Sequence, residues 1–177
     1  MTDQRCARQR VFLRTPTAED QQAFIALAER SQSLHSPWTS APRTAAEYGK
    51  YLQTMTSHPN YGVLVCKSSG IGPQHEIAGV INVTQMVAGN FRSAYLGYYA
   101  FEGYEGQGLM RLGLTQLVAY AFRRLRLHRL EANIQPGNTA SIALVRDCGF
   151  MQEGFSPRYL KINGRWRDHE RWAIVAP

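Results

Sequence analysis

Ala94-Tyr-Leu-Gly-Tyr-Tyr-Ala-Phe-Glu-Gly-Tyr-Glu-Gly-Gln-Gly-Leu-Met110 reads as a β-rich run, a glycine-studded turn and the start of an amphipathic helix. Gly103, Gly106 and Gly108 fall where the chain passes from strand to helix. Glycines there let backbone N–H groups approach a ligand closely, and the helix N-terminus behind them favours negative charge. The stretch implies a phosphate-bearing ligand, and the rest of the chain has to say which one.

The 177 residues suffice for one domain with a real hydrophobic core, expected over residues 1–177 with a folded core at 10–175. Hydrophobic residues at 44% and no low-complexity tract fit a globular protein. No run of about 18 apolar residues offers a membrane span. The arginine-rich segment 1–10 has no apolar stretch and does not read as a secretory signal, so a cytoplasmic location is expected. Cys6, Cys66 and Cys148 are odd in number and lack CxxC spacing, which disfavours a disulfide framework and a cysteine metal site; no metal is expected. The net charge of +7 suits an anionic ligand or a nucleic acid and does not choose between them.

Working outward, residues 10–15 look like a first strand stopped by Pro16. Thr17-Ala-Glu-Asp20 has capping-box character with a shortened acid, and opens a helix to about Ser31. Residues 34–43, with two prolines and Trp38, are expected as loop. Thr44-Ala-Ala-Glu47 is a full capping box, with Tyr48, Tyr51, Leu52 and Met55 at helical spacing after it. Strands are expected at 61–67 and 76–87, separated by a turn-rich loop at 68–74, and residues 88–90 should close a hairpin into a strand at 91–101. A helix over 109–125 follows, then a strand over 128–135 and a short helix capped by Asn138, with Gly149 at its C-terminal end. Residues 150–155 return as strand, and Asn163-Gly164 joins 159–162 to 166–169 as a hairpin. The order β-α-α-β-β-β-α-β-α-β-β predicts an α/β (α+β) fold, a mixed sheet with helices packed on it.

Two phosphate-loop patterns fail. A dinucleotide fingerprint needs a third glycine where Arg111 stands, and no Gly-Lys-Ser/Thr of a Walker loop is present. Glu105-Gly-Gln-Gly-Leu-Met110, between strand and helix, resembles the acyl-CoA loop of the GCN5-related N-acetyltransferases, Q/R-x-x-G-x-G/A, through Gly108 and Gly106. Asn138-Thr-Ala-Ser141 and Gly149-Phe150 resemble that family's later signature. His128-Arg-Leu-Glu131, Glu153-Gly154 and Asn163-Gly164…Trp166…Asp168-His169 look like the branch that acetylates N-terminal residues of ribosomal proteins, the RimJ/RimL-like enzymes. Glu105 and Met110 depart from the loop pattern, Met110 in a way seen in that branch.

The resemblance implies that acetyl-CoA and an amine bind together and that the amine attacks the thioester directly. It implies that the backbone of Tyr99, Ala100 and Phe101 pairs with the pantetheine arm, an N–H there polarising the thioester carbonyl. Gly106, Gln107, Gly108, Leu109 and Met110 would cradle the pyrophosphate, and Asn138 would serve the pantetheine amides, cap its helix, or both. Many relatives place a tyrosine acid where Val145 stands, so Ser141 becomes the candidate acid, with a structural serine as the alternative. Glu102 is the candidate base, with a solvated loop glutamate or an ordered water as alternatives; Asp168 and His169 are suggestive but fit a structural strand. The expected acceptor is a protein N-terminus, that of a ribosomal protein first, with nucleic acid met only through the ribosome and the enzyme a monomer or homodimer. An antibiotic, polyamine or amino-acid acetyltransferase is the runner-up. A non-catalytic acyl-CoA sensor or an RNA-binding module is the reading from a different class.

Overall fold

A computed structural model describes residues 11–68 and 75–177, so the segment 1–10, with Cys6, and nearly all of the loop expected at 68–74 lie outside the described residues. Thr17 and Asp20 form the first capping box: the Asp20 carboxylate accepts from the Thr17 N–H at 2.8 Å, close enough because the first turn, Ala18–Asp20, is a tight 3-10 turn. Helix α1 (Gln21–Arg30) follows, and Ser31 separates it from a single helical turn, α2 (Gln32–His35). The start of the expected 34–43 loop is therefore helical, because the Ser31 carbonyl continues the ladder by accepting from His35 N–H at 2.9 Å. The second box is complete, Glu47 N–H donating to the Thr44 hydroxyl at 3.2 Å, and starts α3 (Ala45–Met55).

The strands are β1 (Val11–Arg14), β2 (Tyr61–Ser68), β3 (His75–Val87), β4 (Ser93–Ala100), β5 (Arg129–Ile134), β6 (Met151–Ile162) and β7 (Arg165–Val175). They form one sheet in the order β1-β2-β3-β4-β5-β7-β6. Every neighbouring pair is antiparallel except β4 and β5. A parallel pair needs a crossover, and the chain supplies it as α4 (Leu109–Arg123). Helix α5 (Thr139–Asp147) lies between β5 and β6. β4 starts later than expected because Arg92, at φ 38, still belongs to the turn. The two strand pieces expected at 150–155 and 159–162 are one strand. Arg158, at φ 49, makes an irregularity that Asp168 holds by accepting from its N–H at 2.7 Å.

Alternation divides the sheet into two faces. Val63, Val65, Ile81, Leu96, Leu130, Ala132 and Trp172 point to the face covered by α4 and α5, packing on Leu114, Leu117 and Val145. Leu64, Cys66, Val80 and Phe101 point to the other face, where α1 and α3 bring Phe24, Tyr48 and Tyr51. Those helices cover only part of it: the strand residues in this second cluster come from β2 and β3, with Tyr99 of β4 packed against it, and none comes from β5, β7 or β6. Phe24 is in ring contact with Tyr48, Tyr51 and Phe101, a cluster in which each fully buried side chain contributes about 1.5–3 kcal/mol. No helix among the described residues is long and apolar enough to cross a membrane.

Candidate active site

β4 follows β3 along its length, but its pairing with β5 stops at Leu96↔Ala132. From Gly97 the two parallel strands part and leave a wedge at their C-terminal ends. Both sides of the wedge are held from outside. Phe101 N–H donates to the Ala78 carbonyl at 2.9 Å, keeping β4 on β3, while Asn133 and Ile134 of β5 stay in register with Arg171 and Glu170 of β7. Because polar groups alternate along a strand, those of Tyr99 and Phe101 face β3, and the N–H groups of Tyr98 and Ala100 face the wedge. Within the expected triplet 99–101, Ala100 thus offers an N–H to an incoming strand-like ligand, and Tyr98 adds a second. The Ala100 carbonyl is taken: His35 Nε2, necessarily protonated against a carbonyl, donates to it at 2.8 Å.

The glycine turn lies at the end of β4. Gly103, Gly106 and Gly108 have φ of 90, 72 and 73°, left-handed values that side chains rarely adopt, and a Cβ built on any of them would meet nothing within 4 Å. Gln107 ties the loop by donating from Nε2 to the Gly103 carbonyl at 2.6 Å. Gly108 is the N-cap of α4 and gives it no side-chain cap, so the first N–H groups of a 15-residue helix stay available. No acid stands in the first turn of α4, which leaves the positive end of the helix uncompensated. The two departures from the loop pattern do not obstruct it. Glu105 is exposed, and the Met110 sulfur lies over Gly79 of β3, where a Cβ would collide with it. Turn and helix end together form an open anion cradle beside the wedge.

On the α5 side, Asn138 accepts from Ser141 N–H at 3.1 Å through Oδ1, capping the helix. The Ser141 hydroxyl donates to the Tyr98 hydroxyl at 2.7 Å, and Tyr98 in turn donates to the Ser141 carbonyl at 3.2 Å. Burial pushes the Tyr98 phenol above its ordinary value, the bond with Ser141 opposing this less strongly, so it stays protonated. Val145 is fully buried in the core and carries no proton. Tyr98 was not among the residues expected from sequence; strand alternation from Leu96 would have put it on the α5 face.

Glu102 is exposed in the turn after β4, its N–H bonded to the Ser31 hydroxyl at 2.9 Å. Asp168 and His169 hold the β6–β7 hairpin. Asp168 bonds Arg158, and His169, 3% exposed, donates from Nδ1 to the Arg167 carbonyl at 3.0 Å. Cys66 is buried, and burial raises its thiol to about 11, with Arg14 opposing, so it is not poised as a nucleophile.

A wedge between parallel strands, an anion cradle at its mouth and paired hydroxyls on its wall can hold an extended, phosphorylated thioester. Comparison with known proteins identifies the class: residues 10–151 match the Acetyltransferase (GNAT) domain, and the chain belongs to that family. The [ribosomal protein uS5]-alanine N-acetyltransferase of Escherichia coli (strain K12) is 40% identical over 104 residues, 59% of this chain and 54% of that protein. Bacillus subtilis (strain 168) YjcK is 36% identical over 101 residues, 57% of this chain and 56% of that protein. The match thus spans little more than half the length of these relatives. Mycobacterium smegmatis RimJ in complex with CoA-disulfide superposes with a TM-score of 0.85 at 25% identity, covering 94% of this chain and 82% of that one.

Proposed function

We propose that the protein is an acetyl-CoA-dependent N-acetyltransferase whose acceptor is the N-terminal α-amine of a protein, a ribosomal protein being the first candidate. The observation that carries this reading is the wedge at Leu96↔Ala132 with the uncapped, left-handed Gly108 beside it. N–H groups at the start of α4 and from the 106–110 loop hold the pyrophosphate, and those of Tyr98 and Ala100 meet the pantetheine arm as an added strand. Asn138 keeps its cap through Oδ1 and has its amide N–H2 for the pantetheine amides.

Acetyl-CoA supplies a thioester, whose carbonyl carbon is the electrophile. The neutral amine adds to that carbon, the C–N bond forms, and the C–S bond breaks with its electron pair on sulfur. The products are an N-acetyl amide and the CoA thiol, with one proton released from the starting ammonium. Ser141 turns its hydroxyl from Tyr98 to the leaving thiolate and delivers a proton, Tyr98 turns from the Ser141 carbonyl to return one, and the proton shed by the newly acylated nitrogen replaces that of Tyr98, which shortens the life of a thiolate that leaves readily at a thiol pKa of about 8.5. An α-amine with a pKa near 8 has a usable neutral fraction at neutral pH, so water suffices as the proton acceptor and Glu102 acts at most as its outer relay. The test is an acceptor screen followed by thiol release, including ribosomal-protein N-terminal peptides, amines and antibiotics. Acetylation of an N-terminal peptide is the expected result. CoA binding without turnover across the panel would favour a sensor, and salt-sensitive RNA binding without CoA binding would remove the enzyme reading.

A further inference from the structure

The end of the sheet remote from the wedge carries a charge imbalance that acetyl transfer does not use. From Ile77 to Leu130 the acids are Glu102 and Glu105, both in the glycine turn at the wedge. β4 and β5 begin at the opposite end, and α4 runs back to it from the turn. Arg92, Arg123, Arg124, Arg126 and His128 gather there, all of them exposed. None has a carboxylate within 4.0 Å among the described residues, whereas Arg129 beside them is held by Glu131 and Glu153. The backbone under the cluster is tied: the Arg92 carbonyl accepts from His128 N–H at 2.6 Å and from Arg129 N–H at 3.2 Å. Leu127 N–H donates back to the Ala121 carbonyl of α4 at 3.1 Å. The dipole of α4 accounts for a cation in its last turn, Arg123. It does not account for Arg92, which stands at φ 38 before β4.

Two open aromatic rings stand among these cations. Phe91, 58% exposed, directly precedes Arg92 between β3 and β4. Tyr120, 38% exposed, lies one helical turn before Arg123 and Arg124 on the same side of α4. Its ring stacks on Tyr61, the first residue of β2, with centroids 5.4 Å apart and 16° between the planes, so it is held flat while remaining exposed. Ala119, Tyr120, Arg123 and Arg124 line an open hollow. A flat exposed ring with guanidiniums one turn away is what a stacked base and its phosphates need. An acidic protein segment would use the cations and leave both rings idle. An anionic bilayer needs a broad apolar face, and here the rings sit on separate elements among charges. Duplexes keep their bases stacked inside, whereas single-stranded RNA splays them out.

We propose that this end of the protein is a docking surface for single-stranded RNA. Phe91 and Tyr120 stack on bases, and Arg92, Arg123, Arg124 and Arg126 meet phosphates. No residue of the wedge or of the glycine turn takes part, so the surface stands or falls independently of the acetyltransferase reading. Where both hold, RNA is gripped at one end of the sheet while the wedge at the other end stays free for an amine.

The test uses the full chain and a labelled oligouridine RNA of about 20 nucleotides, long enough to cover more than one site, followed by fluorescence anisotropy. Wild type should bind with a Kd of about 1–100 μM, and log K should fall against log salt with a slope of about −3 for four neutralised phosphates. The double variant Arg123→Glu/Arg124→Glu should weaken binding at least about tenfold and roughly halve that slope. Phe91→Ala and Tyr120→Ala should each weaken binding about five- to thirtyfold and leave the slope unchanged, because they remove stacking and not charge. Circular dichroism checks that each variant folds, and Phe91→Ala, at an exposed turn, decides the stacking should Tyr120→Ala fail to fold. Saturating CoA should not displace the RNA, since the anion cradle lies at the other end. Absence of RNA binding, equal binding by wild type and the arginine variant, or displacement by CoA overturns the proposal. So does equal affinity for duplex RNA, for polyglutamate or for phosphatidylserine vesicles. Loss of acetyl-CoA binding with RNA binding intact would sink the acetyltransferase reading alone.

Discussion

Replacing Gly108 by Asp separates what the turn does for the protein from what it does for the donor. The residue sits at φ 73 as the N-cap of α4, with no side-chain cap and open space around its Cβ position. Asp tolerates the left-handed region better than most residues and is a favoured N-cap, so the small capping gain and the backbone strain largely cancel, leaving stability within about 1 kcal/mol of wild type. Affinity has no such cancellation. A carboxylate about 5 Å from a doubly charged pyrophosphate, at an effective dielectric between about 40 and 80 for this open loop, costs about 2–3 kcal/mol, or roughly 30- to 150-fold in Kd. Gly108→Asn has nearly the same shape without the charge and should lose no more than about threefold. Calorimetric titration with acetyl-CoA at low and high salt checks both, because screening shrinks only the charge penalty. If the Asp variant binds within threefold of wild type, or the Asn variant loses as much as the Asp variant, the α4 N-terminus is not the pyrophosphate cradle.

Ser141→Ala and Tyr98→Phe should each lower kcat about tenfold without changing acetyl-CoA affinity, and the double variant should be no worse than either single, because the two hydroxyls act as one unit; a multiplicative double loss would refute the relay. Burial works against the Asp20 carboxylate, yet hydrogen bonds from Arg14 and Thr17 outweigh it and hold its carboxyl below the ordinary value. Asp20→Ala leaves Arg14 without its 2.5 Å partner and α1 without its box, and should cost about 2–3 kcal/mol in urea denaturation, discounted because Arg14 is partly exposed; a loss under 0.5 would show the pair is not structural. Burial also lowers His35 and His169, partly opposed by their carbonyl partners. Folded, both bind fewer protons than the unfolded chain between their lowered values and 6.5, so stability should fall as pH drops through that window and flatten below it. His35→Gln should reduce that slope, and an unchanged slope would remove His35 from the account.

What sequence made legible was local. The two capping boxes, the glycine turn, the Asn138 cap and the Asn163-Gly164 hairpin are each written in a few consecutive residues, and each stands where it was expected. Contacts between distant residues were not. Ser141 and Tyr98 are 43 residues apart, and His35 reaches Ala100 across 65, so neither pairing has a spacing to betray it. The outlines of the wedge were half-legible. The sequence showed that β4 must end near the glycines, but only the register shows pairing to β5 stopping at Leu96, and only that register turns the N–H groups of Tyr98 and Ala100, not those of Tyr99 and Phe101, toward the opening.

The same register explains why the donor loop and the strand faces differ so much in how readily they can be read. In the proposed reading the donor's phosphates are met by main-chain N–H groups, which every residue carries, so their site is recorded as glycines, the residues that let a backbone come close. Side chains that face away from the α4/α5 core, such as Tyr99 on β4, Asn133 on β5 and Arg167 on β7, leave no such mark. In sequence such residues look like the solvent side of an ordinary strand. They stand apart only when the fold shows one polar side-chain atom each of Asn133, Tyr99 and Arg167 buried without a hydrogen-bond partner among the described residues.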